Sequence, residues 1–220
     1  LIGIGRRMFE GDRRIRNGHF PGWRPVLYGS GVAGSTVGII GMGAVGKAIA
    51  RLLVPFSCRC LYHDISPLTE TQERELRLER TTAETLLEIS DFIIVALPLN
   101  EQTTSYINRK TLAKCKKGSY LINVGRGGCI VEQDVADALE RGDLAGFASD
   151  VFAFEDWVRT DRPQMIEPRL LGNLDATLLT PHIGSAVDEI RKQITLEAAD
   201  NILDALAGKR PRGAINEVLN

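Results

Sequence analysis

The 220-residue sequence has no apolar run approaching the ~20 residues that cross a bilayer, so no membrane-spanning segment is expected. It has no excess of either charge: 27 basic residues stand against 28 acidic ones. A nucleic-acid partner or an anionic membrane surface is therefore not expected, because both call for a basic patch. Cysteine is scarce, with Cys58, Cys60, Cys115 and Cys129 scattered and without zinc-ligand spacing. Three of them lie in apolar segments, which predicts buried reduced thiols, no metal site and a cytoplasmic setting. Low-complexity tracts are missing as well. What remains, 44% hydrophobic and 25% charged residues, is enough for one large packed domain, or one domain and part of another.

The chain opens on Leu1-Ile2-Gly3-Ile4, which has neither a signal peptide nor a helix-start signal, and it reads as a helix entered partway along a longer protein. Residues 1–17 place apolar side chains among arginines, as a surface or interface helix would. Gly18 to Gly34, rich in Gly and Pro with Phe20, Trp23 and Tyr28, reads as a connecting arm. Short apolar strands then alternate with polar helices. Strands are expected at Thr36–Ile40, Cys58–His63, Phe92–Leu97, Tyr120–Val124, Gly146–Ala148 and Thr177–Leu179. Helices are expected at Val45–Leu53, Leu68–Leu76, Thr82–Ile89, Gln133–Glu140 and Ala186–Leu206. The charged run Glu70–Arg80 reads as a solvated helix face. Strands apolar at every position, such as Phe92-Ile93-Ile94-Val95, are buried on both faces. The pattern predicts an α/β fold, a doubly wound parallel sheet of Rossmann type. The expected segments are 1–34 for helix and arm, 35–184 for the dinucleotide-binding domain, and 185–220 for a final helix and tail returning toward a second domain largely missing from this sequence.

Gly41-Met42-Gly43-Ala44-Val45-Gly46 puts GxGxxG directly after a buried strand and before a helix, the context that makes this spacing specific. Gly41 permits the tight turn, Gly43 lets the backbone approach a pyrophosphate, and Gly46 lets the helix pack closely. Ala44, Val45 and Gly46 bring the amides of a helix N-terminus to the phosphate charge. Asp64 ends the second strand, 23 residues after Gly41, where a carboxylate accepts ribose hydroxyls and repels a 2′-phosphate. NAD rather than NADP is expected.

Three further residues stand just past strand ends, where open α/β sheets bind ligands. Arg126 can hold an anionic substrate, His182 can move a proton near neutral pH, and the carboxylate of Glu155 can fix the imidazole tautomer. GMGAVG at 41–46, LPLN at 97–100, INVGRGG at 122–128, DVFAFED at 150–156 and TPHIGSA at 180–186 resemble, in that order, the motifs of D-isomer-specific 2-hydroxyacid dehydrogenases. The likeness covers essentially the whole chain. It implies that Arg126 binds the substrate anion, that His182 is the acid/base and that Glu155 orients it. It further implies that Asp150 contacts the nicotinamide carboxamide and that Leu97 and Pro98 line the adenosine pocket.

A finer likeness, carried by Glu155 to Pro163, Pro168 to Leu171, residues 182–187 and the arm at Gly22 to Pro25 with Tyr28, is to the phosphite (phosphonate) dehydrogenase branch. It implies that Trp23, Tyr28, Trp157 and Arg191 lie around the substrate. Gly125 and Asp64 depart from that branch, and the lysine it carries in an upstream domain has no counterpart here. The function expected first is therefore NAD-dependent oxidation of phosphite to phosphate, with His182 deprotonating the attacking water. The alternative is an NAD-dependent D-2-hydroxyacid dehydrogenase of the glyoxylate or hydroxypyruvate reductase kind. A non-catalytic NAD-sensing protein is a third reading, against which Arg126, Glu155 and His182 argue. Residues 1–34 resemble the family's dimer-forming segment, so a homodimer acting on a small anion is expected.

Overall fold

The structure, a computed structural model, describes residues 1–24 and 26–216. Pro25 of the arm and residues 217–220 of the expected tail lie outside the described residues. The chain divides into two compact units, Leu1–Pro181 and a second beginning at His182. In the first unit the described strands are β1 (Thr36–Ile40), β2 (Arg59–His63), β3 (Leu78–Arg80), β4 (Phe92–Val95), β5 (Ser119–Asn123), β6 (Leu144–Ser149) and β7 (Thr177–Leu179). They form one sheet in the order β3-β2-β1-β4-β5-β6-β7, with every pairing parallel. This is the doubly wound sheet that the sequence predicts.

Strand periodicity divides the core in two. Ile93, Val95, Leu121 and Leu61 join one buried cluster, whereas Phe92, Ile94, Tyr120, Ile122, Cys60 and Tyr62 join the other. Neighbours along each strand point to opposite faces, so a sheet covered on both sides needs apolar residues at every position. The first cluster is completed by α5 (Ala83–Ile89), α6 (Arg109–Leu112), α7 (Glu132–Glu140) and α8 (Pro168–Gly172) through Leu86, Leu112, Val135 and Leu170. The second is completed by α1 (Ile2–Gly5), α3 (Ala44–Leu53) and α4 (Glu70–Leu76) through Ile4, Ala50, Leu53 and Leu76. Ile93 and Leu121 are fully buried, and each such side chain contributes about 1.5–3 kcal/mol.

Two expectations are corrected. The helix read over 1–17 is broken by Arg7, which takes a left-handed φ of 51° between α1 and α2 (Met8–Arg16). The side chain of Arg7 then reaches Glu10, buried in α2, and Arg14 pairs with the same carboxylate at 3.0 Å. Ile4 and Gly5 are buried, and Ile4 lies over Gly146 of β6, so α1 belongs to the core rather than to the surface. The run Glu70–Arg80 is not one helix face. Arg77 is left-handed and ends α4, after which buried Leu78 pairs with Cys60 and starts the edge strand β3. The other expected elements agree to within a few residues.

The four cysteines are free thiols, with Cys60 and Cys129 buried and the other two half-buried. Burial pushes the Cys115 thiol up to about 12. No helix among the described residues is long and apolar enough to cross a membrane. The second unit carries α9 (Asp188–Leu206) and a turn in which the Gly213 amide donates to Asn201 Oδ1 at 3.1 Å.

Candidate active site

Because every strand runs the same way, the carboxyl ends of β1, β2, β4, β5 and β6 open on one edge of the sheet, with strand order reversing between β1 and β4. Ligands of open α/β sheets bind at such a reversal. Gly41 leaves β1 at a φ of 98°, and a Cβ there would lie 2.7 Å from the Ala96 carbonyl oxygen. Gly43, Ala44 and Val45 are exposed, and a Cβ on Gly43 would meet nothing within 4 Å. Gly46 is buried against the carbonyl of Gly41, which leaves no room for a side chain.

α3 starts at Gly43 with no side-chain cap, and α1, α2, α7 and α9 also lack one. By contrast Thr69 caps α4, Thr82 caps α5 and Asn108 caps α6. The first amides of α3 are thus left for an external acceptor, and the open space at Gly43 admits one closely. Both features fit the pyrophosphate of a dinucleotide.

Asp64 is half-buried at the end of β2. Its Oδ2 accepts the Met42 amide at 2.6 Å and its Oδ1 accepts the Ser66 amide at 2.7 Å. The first bond ties the carboxylate to the glycine turn and the second to its own turn after β2. Each oxygen keeps a second lone pair for a hydroxyl donor. Leu97 is half-buried and Pro98 exposed just past β4. Asp150, half-buried past β6, accepts the Thr180 hydroxyl at 2.6 Å, while its amide donates to the Asn123 carbonyl at 3.1 Å.

The Arg126 turn is built by Asn123, which is buried at the end of β5. Its Nδ2 donates to the Arg126 carbonyl at 3.0 Å and its Oδ1 accepts the Gly125 amide at 3.1 Å. Arg126 itself is exposed amid buried neighbours. The following turn, 127–129, lies directly against the turn Ala153–Glu155. Glu155 Oε1 accepts the Phe152 amide at 2.7 Å, and Asp156 Oδ2 accepts the Gly128 amide at 2.8 Å. Arg126 and Glu155 therefore border one cleft of about 700 Å³, together with Leu99, Asn100, Asp156 and Trp157. Arg159 forks onto Asp161 with bonds of 3.0 and 2.7 Å, and this pairing holds the Asp161 carboxyl below its usual range.

Of the four residues implied to surround the substrate, Trp157 lines this cleft, while Trp23 and Tyr28 are exposed on the arm. Arg191 belongs to α9 in the second unit, which His182 opens with a left-handed φ of 54°. Sequence reasoning did not single out Asn123, Glu132 or Asp156. Only the first had a local signal, as the polar residue closing an apolar strand.

The description "D-isomer specific 2-hydroxyacid dehydrogenase, NAD binding domain" matches residues 1–184. A glyoxylate reductase of Thermofilum pendens is 35% identical over 219 residues, covering 99% of this chain and 62% of that protein. A crystal structure of a glyoxylate reductase from Paecilomyes thermophila superposes with a TM-score of 0.83 at 31% identity, covering 95% of this chain and 60% of that one. The holo form of a D-mandelate dehydrogenase from Rhodotorula graminis superposes with a TM-score of 0.86 at 26% identity, covering 99% and 63%. The chain thus spans less than two thirds of the length of these relatives. The glycine turn, the open start of α3 and the match over residues 1–184 agree, and NAD is the cofactor. The chain belongs to the D-isomer-specific 2-hydroxyacid dehydrogenases, as a member of their NAD-binding domain family.

Proposed function

We propose that this chain is the NAD-binding part of an enzyme that interconverts a small 2-oxo acid and the corresponding D-2-hydroxy acid, with glyoxylate as the first substrate to test. The observation that carries the reading is the single cleft bordered by the guanidinium of Arg126 and the carboxylate of Glu155. A substrate carboxylate suits the planar fork of Arg126. His182 gives its proton to the carbonyl oxygen during reduction and takes it back from the hydroxyl during oxidation. Glu155 is the carboxylate that the family likeness assigns to orienting that base. NAD supplies the hydride acceptor, and NADH the donor, at the nicotinamide ring. The amides of Ala44, Val45 and Gly46 hold the pyrophosphate, Asp64 the ribose, Leu97 and Pro98 the adenosine, and Asp150 the carboxamide.

This reading replaces phosphite oxidation, the first expectation from the sequence, because the relatives described above include glyoxylate reductases. Phosphite keeps one observation in its favour. Trp157, from the stretch similar to that branch, lines the cleft beside Arg126. The catalytically complete enzyme, assayed for NADH oxidation with glyoxylate and hydroxypyruvate and for NADH formation with phosphite, decides between them. Turnover of the 2-oxo acids without phosphite oxidation is expected; the opposite pattern removes the proposal.

Asp64 should also set the cofactor. Its carboxylate, anchored by two amides, would face a 2′-phosphate as a like charge. Catalytic efficiency with NAD should exceed that with NADP by on the order of a hundredfold. Asp64→Ala should narrow the ratio mainly by weakening NAD. Equal efficiency with the two cofactors in the parent enzyme would refute this role.

A further inference from the structure

Glu132 opens α7 and is 6% exposed, an uncommon place for a carboxylate. Among the described residues it has no ion-pair partner. Its oxygens are satisfied by two backbone amides distant in sequence, Ala153 to Oε1 at 3.1 Å and Glu167 to Oε2 at 2.9 Å. Charge-assisted bonds of this kind are among the stronger polar contacts.

The two amides bracket the loop 153–167, which carries Glu155, Asp156, Trp157 and Arg159. This loop does not lie flush on α7. Between them is a cavity of about 400 Å³, lined by Val131, Glu132, Gln133 and Ala153 on one side and by Pro163 to Pro168 on the other. Phe152 is buried just before the loop and Ile166 packs on the core near its far end, so the two amide bonds add directional ties to ends that apolar contacts already hold. Ala153 is pressed from another side by Gly127, the residue after Arg126.

We infer that Glu132 is a positioning residue: its carboxylate clasps both ends of the 153–167 loop and thereby sets the place of Glu155 relative to Arg126. The catalytic half of this inference rests on the proposed dehydrogenase reaction; the clasp itself does not.

Glu132→Gln tests it. The glutamine matches the glutamate in shape but must turn its NH2 group toward one of the two amides, leaving that N–H without an acceptor. In this chain, hydrogen exchange at the Ala153 and Glu167 amides should accelerate by about tenfold to a hundredfold, with β4 and β5 unchanged. In a Trp23→Phe background, the fluorescence of Trp157 should shift with it. In the catalytically complete enzyme kcat should fall by about tenfold to a hundredfold, with KM for NAD within about twofold of the parent. Unchanged exchange at both amides would overturn the clasp. Accelerated exchange with unchanged kcat would reduce Glu132 to a structural tie and overturn the positioning role. An enzyme inactive on every 2-oxo acid would sink the dehydrogenase reading, while exchange and fluorescence still judge the clasp. Should Glu132→Gln fail to fold, Glu132→Asp, which keeps the charge and shortens the reach, is expected to show the same changes at smaller size.

Discussion

Replacing His182 by Asn in the catalytically complete enzyme is expected to lower kcat by on the order of a thousandfold, within the range that proton transfer by a positioned side chain supplies. NAD affinity should change little, because the proposed cofactor contacts lie on the first unit. Asparagine is the informative choice. His182 holds a φ of 54°, a region that costs most residues about 1–3 kcal/mol and that Asn and His tolerate better than Ala. Loss of turnover in the Asn variant therefore reports the missing proton carrier rather than a disturbed backbone. An Asn variant with kcat within tenfold of the parent would remove His182 from the acid/base role. The left-handed backbone at this residue is the kind of local strain that clusters at functional positions.

The second large effect concerns stability. A Cβ on Gly127 would lie 1.8 Å from the carbonyl carbon of Phe152 and 2.2 Å from the nitrogen of Ala153. Both are backbone atoms, so no rotamer change relieves the overlap. Gly127→Ala must push the Arg126 turn and the Glu155 turn apart. Overpacking of this kind costs about 3 kcal/mol or more, which for a domain of this size corresponds to a melting temperature lower by about 6–12 °C. A melting temperature within 2 °C of the parent, a shift of roughly 1 kcal/mol or less, would show that the turns are not held in contact. Activity should fall beyond what the lost stability explains, since the residues on either side of the contact border the cleft.

The legible part of the fold was the part fixed by local chemistry. Strands such as Phe92–Val95 declare themselves because burial on both faces requires apolar residues throughout. Gly41, Gly43 and Gly46 declare a tight turn and a close helix. Arg77 and Arg7 gave no warning, because nothing in an arginine announces a left-handed φ. β3 was hidden for the same reason, being three residues long with a single buried side chain at Leu78. The site divides in the same way. Arg126, Glu155 and His182 carry chemistry recognisable by residue type and position. Asn123 ties its own turn, whereas Asp156 and Glu132 bond amides distant in sequence, and a glutamate in the first turn of a helix looks like ordinary dipole compensation.

The uncapped start of α3 has a consequence for how the domain holds together. Thr69 and Thr82 cap the starts of their helices with their own side chains, whereas α3 starts at a glycine with none. In the proposed cofactor site, the phosphate of NAD would take the place that a threonine side chain fills in α4 and α5. On that proposal NAD would act as a borrowed part of the secondary structure, completing α3 when it binds.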